Sequence, residues 1–266
     1  MEDALRAVRL LNSQQVEATL DFLGENVTDR REAENARDEY LHLLEAIARE
    51  HVRSNVSLKV TQMGIDVDEG LCFESVAAIL AKASQFGNFV RIDMESSNYT
   101  ERTLRIFERL FSLFPNVGIV IQAYLHRSEK DARHLAELRA PVRVCKGAYK
   151  ESSAVAFQPM GDIRRSYKQL VEILLTAGSK VGIATHDESL IRWALQWTSG
   201  HSIPREQFEF QMLYGLRRAR GRDLAAQGFT VRSYVPYGTH WLPYFVRRLR
   251  ERKENIFFVL RSLVAD

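Results

Sequence analysis

Two adjacent arginines near the end of the chain have the residue type and spacing to bind a small anion. Arg247 and Arg248 lie between Tyr244 and Glu251 at three- and four-residue spacings, so in a helix these side chains share or adjoin one face. A guanidinium donates hydrogen bonds in a fork, which orients a carboxylate better than an ammonium does. Taken alone, an arginine-rich helix is more often a solvated face. The residues elsewhere in the chain must therefore show whether these arginines bind an anion or form a solvent-exposed helix face.

The segment before these arginines predicts where they lie. An apolar, β-branched run reaches Tyr234 and Val235, and it ends at a turn that contains Pro236 and Gly238. A helix that begins there projects its first two turns over the carboxyl end of the strand. In an α/β barrel this is the end that carries the chemistry.

The size and composition of the chain suit one large soluble domain. It has 266 residues, of which 45% are hydrophobic, enough for one sizeable core. The 37 basic and 34 acidic residues give a net charge of +3 and are spread along the chain, which argues against a dedicated nucleic-acid binder. Cys72 and Cys145 are the only cysteines and form no CxxC pair, so we expect no disulfide framework and no metal site. Without a signal peptide or a bilayer-spanning run, we expect a cytoplasmic protein.

Short apolar segments alternate with amphipathic segments along the whole chain. The predicted strands cover residues 16–23, 56–60, 89–94, 117–122, 142–145, 181–184, 208–212 and 230–235. The predicted helices cover residues 3–13, 29–50, 69–85, 100–114, 128–138, 162–177, 187–197, 217–227 and the final segment. About eight such units predict an α/β fold closed into a (β/α)8 TIM barrel, with residues 1–266 as a single domain. An open doubly wound sheet is the alternative, but no GxGxxG follows the first strand.

Polar residues stand at the predicted carboxyl end of nearly every strand. In chain order they are Glu25, Lys59, Asp93, Gln122, Arg143, Lys146, Thr185, His186, Gln211 and Tyr234. Buried charge is costly unless it is paired or used, so this pattern predicts a polar pocket with several cations and few carboxylates. Such a pocket favours an anionic ligand that carries a carboxylate and phosphates. Gly147 and Ala148 add small residues where a backbone or a flat ring could approach closely.

The residues alone leave other readings open. His186 could be a general base, a ligand contact or a structural hydrogen-bonding residue. Lys59 or Lys146 could form a Schiff base in a barrel aldolase or isomerase that acts on a phosphorylated substrate. A docking module for nucleic acid or another anionic surface ranks lowest, because the arginines alternate with apolar core positions. The irregular stretch at residues 149–161 is a candidate lid.

Several motifs together resemble the proline dehydrogenase family, and especially its stand-alone bacterial members. They are Ser57-Leu58-Lys59-Val60, Val90-Arg91-Ile92-Asp93, Gln122-Ala123-Tyr124, Arg143-Val144-Cys145-Lys146-Gly147-Ala148-Tyr149, Ala184-Thr185-His186, and Tyr234 with Tyr244-x-x-Arg247-Arg248-x-x-Glu251. The resemblance implies a distorted (β/α)8 barrel with FAD at its mouth. It also implies that L-proline is oxidised to Δ1-pyrroline-5-carboxylate and that the electrons pass to a membrane quinone.

The resemblance also assigns roles to residues of this sequence. Arg247, Arg248 and Lys59 would grip the proline carboxylate, with Glu251 beside the arginines. Tyr149 and Tyr234 would wall the ring, Glu25 would fix Arg247, and Asp93 would line the site. The implied FAD contacts are Met94, Gln122, Arg143, Lys146, Gly147, Ala148, Thr185 and His186, with Arg143 close to the reactive flavin nitrogen.

The same resemblance bears on partners. A quinone acceptor implies a peripheral contact with the inner membrane on its cytoplasmic side. The chain before the first predicted strand is shorter than is usual in that family. The oligomeric state is therefore left open.

Overall fold

The computed structural model describes residues 1–238 and contains a closed barrel of eight parallel strands. The strands are β1 (Glu17–Phe22), β2 (Ser54–Lys59), β3 (Val90–Asp93), β4 (Val117–Gln122), β5 (Val142–Cys145), β6 (Val181–Ala184), β7 (Phe208–Leu213) and β8 (Val231–Tyr237). Each strand pairs with the next in sequence, and β8 pairs with β1 from Glu17↔Arg232 to Phe22↔Tyr237. The predicted (β/α)8 TIM barrel is confirmed.

Helices connect the strands and cover the outside of the barrel. They are α1 (Glu2–Ser13), α2 (Arg30–Arg49), α3 (Glu69–Gln85), α4 (Ser97–Phe111), α5 (Ser128–Glu137), α6 (Met160–Thr176), α7 (Glu188–Gly200) and α8 (Arg218–Ala226). Asp29, Asp68 and Asp187 are the N-caps of α2, α3 and α7, and each accepts hydrogen bonds from backbone N–H groups of the first turn. Among residues 1–238, no helix is long and apolar enough to cross a membrane.

The inside of this barrel is polar and its outside is apolar. Arg143 of β5 contacts Asp93 of β3, and Tyr234 of β8 contacts the same carboxylate; these strands are not neighbours, so the side chains meet across the interior. Side chains alternate along a strand, so the residues between the polar ones face the helices. Leu20, Val56 and Ile92 are such residues and are fully buried. The apolar core therefore lies between strands and helices, and the interior is free to hold charged groups.

The last strand is longer than predicted. It continues through Pro236 and ends at Tyr237, and the next residue, Gly238, has a φ of +116°. The Tyr237 carbonyl accepts a hydrogen bond from the N–H of Leu23, so the backbone polar groups of residue 237 point toward β1. Successive residues of a strand point these groups to opposite sides, so the backbone nitrogen of Pro236 points toward β7. The pairing with β7 ends at Leu213↔Tyr234, and the missing N–H of Pro236 therefore breaks no bond of that ladder.

The irregular stretch predicted as a lid packs against the loop after β4. Leu125 and Ala156 form an antiparallel bridge, and the N–H of Phe157 donates to the Tyr124 carbonyl at 2.7 Å. Tyr124, Leu125, Ala156 and Ile163 form a small apolar cluster of their own. The segment between β5 and α6 is thus anchored at its centre.

Candidate active site

Asp93 is the centre of a buried hydrogen-bond cluster inside the mouth of the barrel. Its Oδ1 accepts hydrogen bonds from the Ser57 hydroxyl at 2.8 Å and from the Arg143 guanidinium at 2.7 Å. Its Oδ2 accepts one from the Tyr234 hydroxyl at 2.7 Å. Arg143 also lies over the Tyr234 ring, 5.3 Å from its centroid. Strands β2, β3, β5 and β8 therefore share one cluster, in which the two charges compensate each other and both side chains are held in fixed orientations.

Lys59 ends β2 and is bound by a carboxylate that the sequence analysis missed. Its Nζ lies 2.9 Å from both carboxylate oxygens of Asp21, and the two side chains are 8% and 0% exposed. Burial alone would lower the pKa of Lys59, but Asp21 and Asp93 outweigh burial and raise that pKa above its ordinary value. Lys59 is therefore an ammonium held in place, not a neutral amine.

Glu95 is another buried carboxyl group at the mouth, two residues beyond Asp93. Its oxygens accept hydrogen bonds from the hydroxyl and the N–H of Thr61, the latter at 3.1 Å. Burial raises the pKa of Glu95 to about 7, although these bonds act in the opposite direction. The backbone carbonyl of Glu95 accepts a hydrogen bond from the Gln122 amide at 2.7 Å. Met94, which is buried, is thus held between two fixed neighbours.

Lys146 follows β5 and meets Asp187, the N-cap of α7. The Nζ of Lys146 lies 2.6 Å from Asp187 Oδ2, and the Nε of Arg164 lies 2.7 Å from the same oxygen. The N–H of Asp187 donates to the Thr185 hydroxyl at 3.1 Å. Burial opposes ionisation of Asp187, but Lys146, Ser189 and Arg164 together hold its pKa well below its usual range. Two cations and a helix N-terminus therefore meet beyond the ends of β5 and β6.

His186 is fixed by the neighbouring strand. Its Nε2 accepts a hydrogen bond from the N–H of Leu213, at the end of β7, at 2.9 Å. A neutral imidazole whose Nε2 accepts carries its proton on Nδ1. Of the roles that the sequence left open, this bond argues against a general base at Nε2, whose lone pair is already engaged, and fits a structural role or a ligand contact.

Gly147 is a position where both the backbone and the packing require glycine. Its φ is +114°, and a Cβ at this position would lie 2.2 Å from the Tyr124 ring. The N–H of Tyr124 donates to the Lys146 carbonyl at 2.9 Å, which fixes the ring beneath the turn. The flat ring that approaches this turn is thus a side chain of the protein itself. Ala148 and Tyr149 follow at half-buried positions.

Glu25 lies three residues beyond β1 in a loop that is tied to the end of β2. The N–H of Asn26 donates to the Thr61 hydroxyl at 3.0 Å, and the N–H of Val27 donates to the Thr61 carbonyl at 3.1 Å. Thr61 is the residue that also binds Glu95, so its side chain joins this loop to the segment that follows β3. The residues predicted to act with Glu25 lie outside the described residues: Tyr244, Arg247, Arg248 and Glu251.

The predicted charge balance of the pocket is wrong. We expected several cations and few carboxylates, but Lys59, Arg143 and Lys146 each pair with a carboxylate, at 2.9, 2.7 and 2.6 Å. The physical reason is that an unpaired buried cation is too costly. Among the described residues, these three cations at the mouth are therefore each matched by a carboxylate from another strand or loop, whereas Arg91, deeper in the barrel, donates to the backbone carbonyls of Ile119 and Pro141.

The sequence analysis missed several residues of this network, acidic ones and Ser57 among them. The missed residues include Asp21, Ser57, Glu95 and Asp187, together with Thr61 and Arg164, which bind two of these carboxylates. A period-two signal was present for Asp21 and Ser57, because both alternate with the buried apolar residues of their strands. Asp187 carried an N-cap signal immediately before α7. For Glu95 there was no comparable signal, since it follows the strand that Asp93 ends.

A parallel barrel whose polar interior opens at the carboxyl ends of its strands is the architecture of a barrel enzyme. The sequence matches the family model described as "Proline dehydrogenase" over residues 4–261. It is 41% identical over 264 residues to proline dehydrogenase 1 of Bacillus subtilis strain 168, and the alignment covers 99% of this chain and 87% of that protein. It is 37% identical over 269 residues to the proline dehydrogenase of Deinococcus radiodurans, with coverages of 99% and 87%. The chain belongs to the proline dehydrogenase family.

Solved structures agree on the fold. The chain superposes on proline utilization A from Bdellovibrio bacteriovorus, inactivated by N-propargylglycine, with a TM-score of 0.86 at 24% identity. The match covers 93% of this chain and 31% of that longer chain. A mutant of proline utilization A from Bradyrhizobium japonicum gives a TM-score of 0.78 at 21% identity, covering 88% and 28%. At this identity the likeness bears on the barrel alone.

Proposed function

We propose that this protein oxidises L-proline to Δ1-pyrroline-5-carboxylate with FAD as its cofactor and a quinone as the electron acceptor. The observation that carries the proposal is the buried cluster of Asp93, Arg143 and Tyr234 at the mouth of the barrel, in a chain of the proline dehydrogenase family. The reaction removes a hydride from the carbon beside the ring nitrogen and a proton from that nitrogen. It therefore needs a substrate held in one orientation and a site that tolerates a developing charge.

The donor set at the mouth fits FAD. Lys146 and Arg164 converge beside the N-terminus of α7, the kind of place that accepts phosphate groups. Gln122 and Arg143 supply donors from neighbouring strands, and Met94 supplies an apolar contact. We assign the cofactor contacts to Met94, Gln122, Arg143, Lys146, Gly147, Ala148, Thr185 and His186. When bound, FAD supplies the two-electron acceptor that no side chain can provide.

The chain's own residues bind and orient the substrate. An ammonium has three N–H donors, and Asp21 accepts two of those of Lys59 within the described residues. The third is available for the proline carboxylate, and Arg247 and Arg248 complete the clamp, with Glu251 beside them. Tyr234 and Tyr149 wall the ring. Glu25 holds Arg247 in this proposal.

The aldolase alternative is disfavoured by the state of its lysines. A Schiff base requires a neutral amine, whereas Asp21 and Asp93 raise the pKa of Lys59 above its ordinary value. Lys146 is bound by Asp187 at 2.6 Å. Both lysines are therefore placed as cations that bind and orient.

The acceptor and location belong to the same proposal. A quinone resides in lipid, so the reduced enzyme must meet a membrane surface, and we propose a peripheral contact on the cytoplasmic side. Family membership supports this part of the proposal.

An absorption spectrum of the purified protein, before and after anaerobic addition of L-proline, tests the proposal. We expect a flavin spectrum that bleaches with L-proline. L-Alanine, which carries the same carboxylate and amine without the ring, should leave it unchanged. A flavin spectrum that L-proline does not alter would overturn the substrate, and a colourless protein that FAD does not reconstitute would overturn the cofactor.

A further inference from the structure

A buried chain of polar side chains runs behind Arg143, away from the mouth of the barrel. The Nε of Arg143 donates to Oε1 of Gln211, and Nε2 of Gln211 donates to a carboxylate oxygen of Glu209. Glu209 in turn accepts from Arg232, at 2.9 Å from Nε and 3.0 Å from Nη2. None of these residues behind Arg143 belongs to the substrate or cofactor contacts proposed above. The chain links the far end of the barrel interior to the Asp93 cluster.

Gln211 can occupy this place in only one orientation. Arginine has donors and no acceptor, and an ionised glutamate has acceptors and no donor. The amide oxygen must therefore face Arg143 and the amide nitrogen must face Glu209. Burial opposes ionisation of Glu209, but Arg232 outweighs burial and holds the pKa of Glu209 below its usual value. The fixed carboxylate prevents the amide from flipping.

The strand between Arg143 and Glu209 leaves room for this amide. Gly182 of β6 is paired with Arg143 on one side and with Glu209 on the other. A Cβ on Gly182 would lie 2.6 Å from Nε2 of Gln211 and 3.0 Å from its Cδ. Its φ lies outside the left-handed region, so the backbone does not require glycine there. Glycine is needed here because the Gln211 amide occupies the space that a side chain at position 182 would take.

A neutral amide between Arg143 and Glu209 has a chemical consequence. If a carboxylate bonded Arg143 in place of this amide, a second negative charge would lie beside the guanidinium and weaken its positive field at the mouth, whereas the Gln211 amide binds the guanidinium without adding charge. Gln211 occupies the Nε of Arg143 and leaves Nη1 for Asp93, at 2.7 Å. The guanidinium plane is thereby fixed from behind.

We propose that Gln211, held by the Glu209–Arg232 ion pair and given room by Gly182, is the positioning residue for Arg143. The inference rests on the proposed function, in which Arg143 lies close to the reactive part of the flavin. Gln211 itself touches neither substrate nor cofactor in this scheme. Its effect passes through Arg143.

Two variants disturb this arrangement in different ways. Gln211→Met keeps the length of the side chain and removes both polar ends, whereas Gly182→Ala keeps every polar group and displaces the amide. The matched control is Gly161→Ala in α6, where a Cβ would meet nothing within 4 Å. Each protein is assayed with FAD bound for kcat, for the proline KM and for the midpoint potential of the flavin.

Displacement of Arg143 is expected to lower kcat about tenfold or more and to change the proline KM less than threefold. The flavin potential is expected to become more negative, because a positive group that stabilises the reduced form has moved. Gly161→Ala should match the wild type in all three quantities. If Gln211→Met does not fold, Gly182→Ala tests the same proposal through the same three quantities, since it displaces the amide and leaves the polar groups in place.

A merely structural role predicts a different result. Lower thermal stability with kcat and potential equal to those of Gly161→Ala would overturn the proposal for Gln211. That outcome is distinct from failure of the proposed function, in which the wild-type flavin would not bleach with L-proline or no flavin would bind.

Discussion

At the scale of single residues, burial and pairing decide which groups at the mouth carry charge. Lys59 is charged because Asp21 lies 2.9 Å away, and the Asp93 carboxylate is shared among Ser57, Arg143 and Tyr234. Glu95 differs from these, since within the described residues its carboxylate accepts hydrogen bonds from Thr61 and not from a cation. Its pKa of about 7 places a titration near neutral pH at the edge of the site.

Glu95→Gln should therefore change how stability depends on pH. The pKa of Glu95 rises from 4.5 to about 7 on folding, so the folded state binds the extra proton in this window and stability falls as pH rises through it. We expect the wild type to lose about 3 kcal/mol more free energy of unfolding than Glu95→Gln between pH of about 4 and about 8. Urea denaturation across this range measures the difference.

The control for this prediction is a glutamate on the surface. Glu137→Gln removes a carboxylate whose side chain is 79% exposed. It should leave the wild-type pH dependence unchanged. Equal pH dependence in the wild type and in Glu95→Gln would show that burial does not suppress the ionisation of Glu95.

At the scale of elements, the sequence predicted which segments form strands and helices better than where they begin. Helix α4 begins at Ser97, three residues before the predicted residue 100. The cause is distant in sequence: the carboxylate of Glu151 accepts hydrogen bonds from the N–H and the hydroxyl of Ser97, both at 2.7 Å. A cap supplied from the segment after β5 leaves no signal near the helix itself.

The turn after β5 is the element whose shape depends most on one residue. Gly147→Ala places a Cβ 2.2 Å from the Tyr124 ring at a φ of +114°. We expect it to lower the free energy of unfolding by about 2 to 4 kcal/mol and to reduce the flavin content of the purified protein. Urea denaturation and the ratio of flavin to protein absorbance measure the two effects.

Gly178→Ala separates backbone strain from the clash. Gly178 has a φ of +86°, and a Cβ there would meet nothing within 4 Å. Its cost should be about 1 kcal/mol, with normal flavin content. If Gly147→Ala cost no more than this control, the contact with Tyr124 would not be what fixes the turn.

At the scale of the whole molecule, the sequence predicted a closed barrel with polar residues at one end, but not the contacts across its interior. Residues such as Asp93 and Tyr234 were recognised because they end or interrupt apolar strands. Their pairing was not predictable, because they are 141 positions apart and meet only once the barrel closes. The same holds for Arg143 and Gln211, which lie on strands separated by β6. Closure of the barrel thus creates the site.

The seam between the last and first strands should depend on Arg232. It bonds Glu209 on β7, and on β1 it bonds the Glu17 carboxylate and the Ala18 carbonyl. Arg232→Met would leave Glu209 charged and buried, at an expected cost of about 3 to 5 kcal/mol in the free energy of unfolding. Adding Glu209→Gln should recover part of this loss, because the buried carboxylate left without its partner is then removed.

By contrast, Arg133→Met on the exposed pair with Glu129 should cost less than about 1 kcal/mol. Urea denaturation of the wild type, the single variants Arg232→Met and Glu209→Gln, the double variant and Arg133→Met measures these differences. Additive losses in the double variant would mean that Arg232 and Glu209 do not act as a pair.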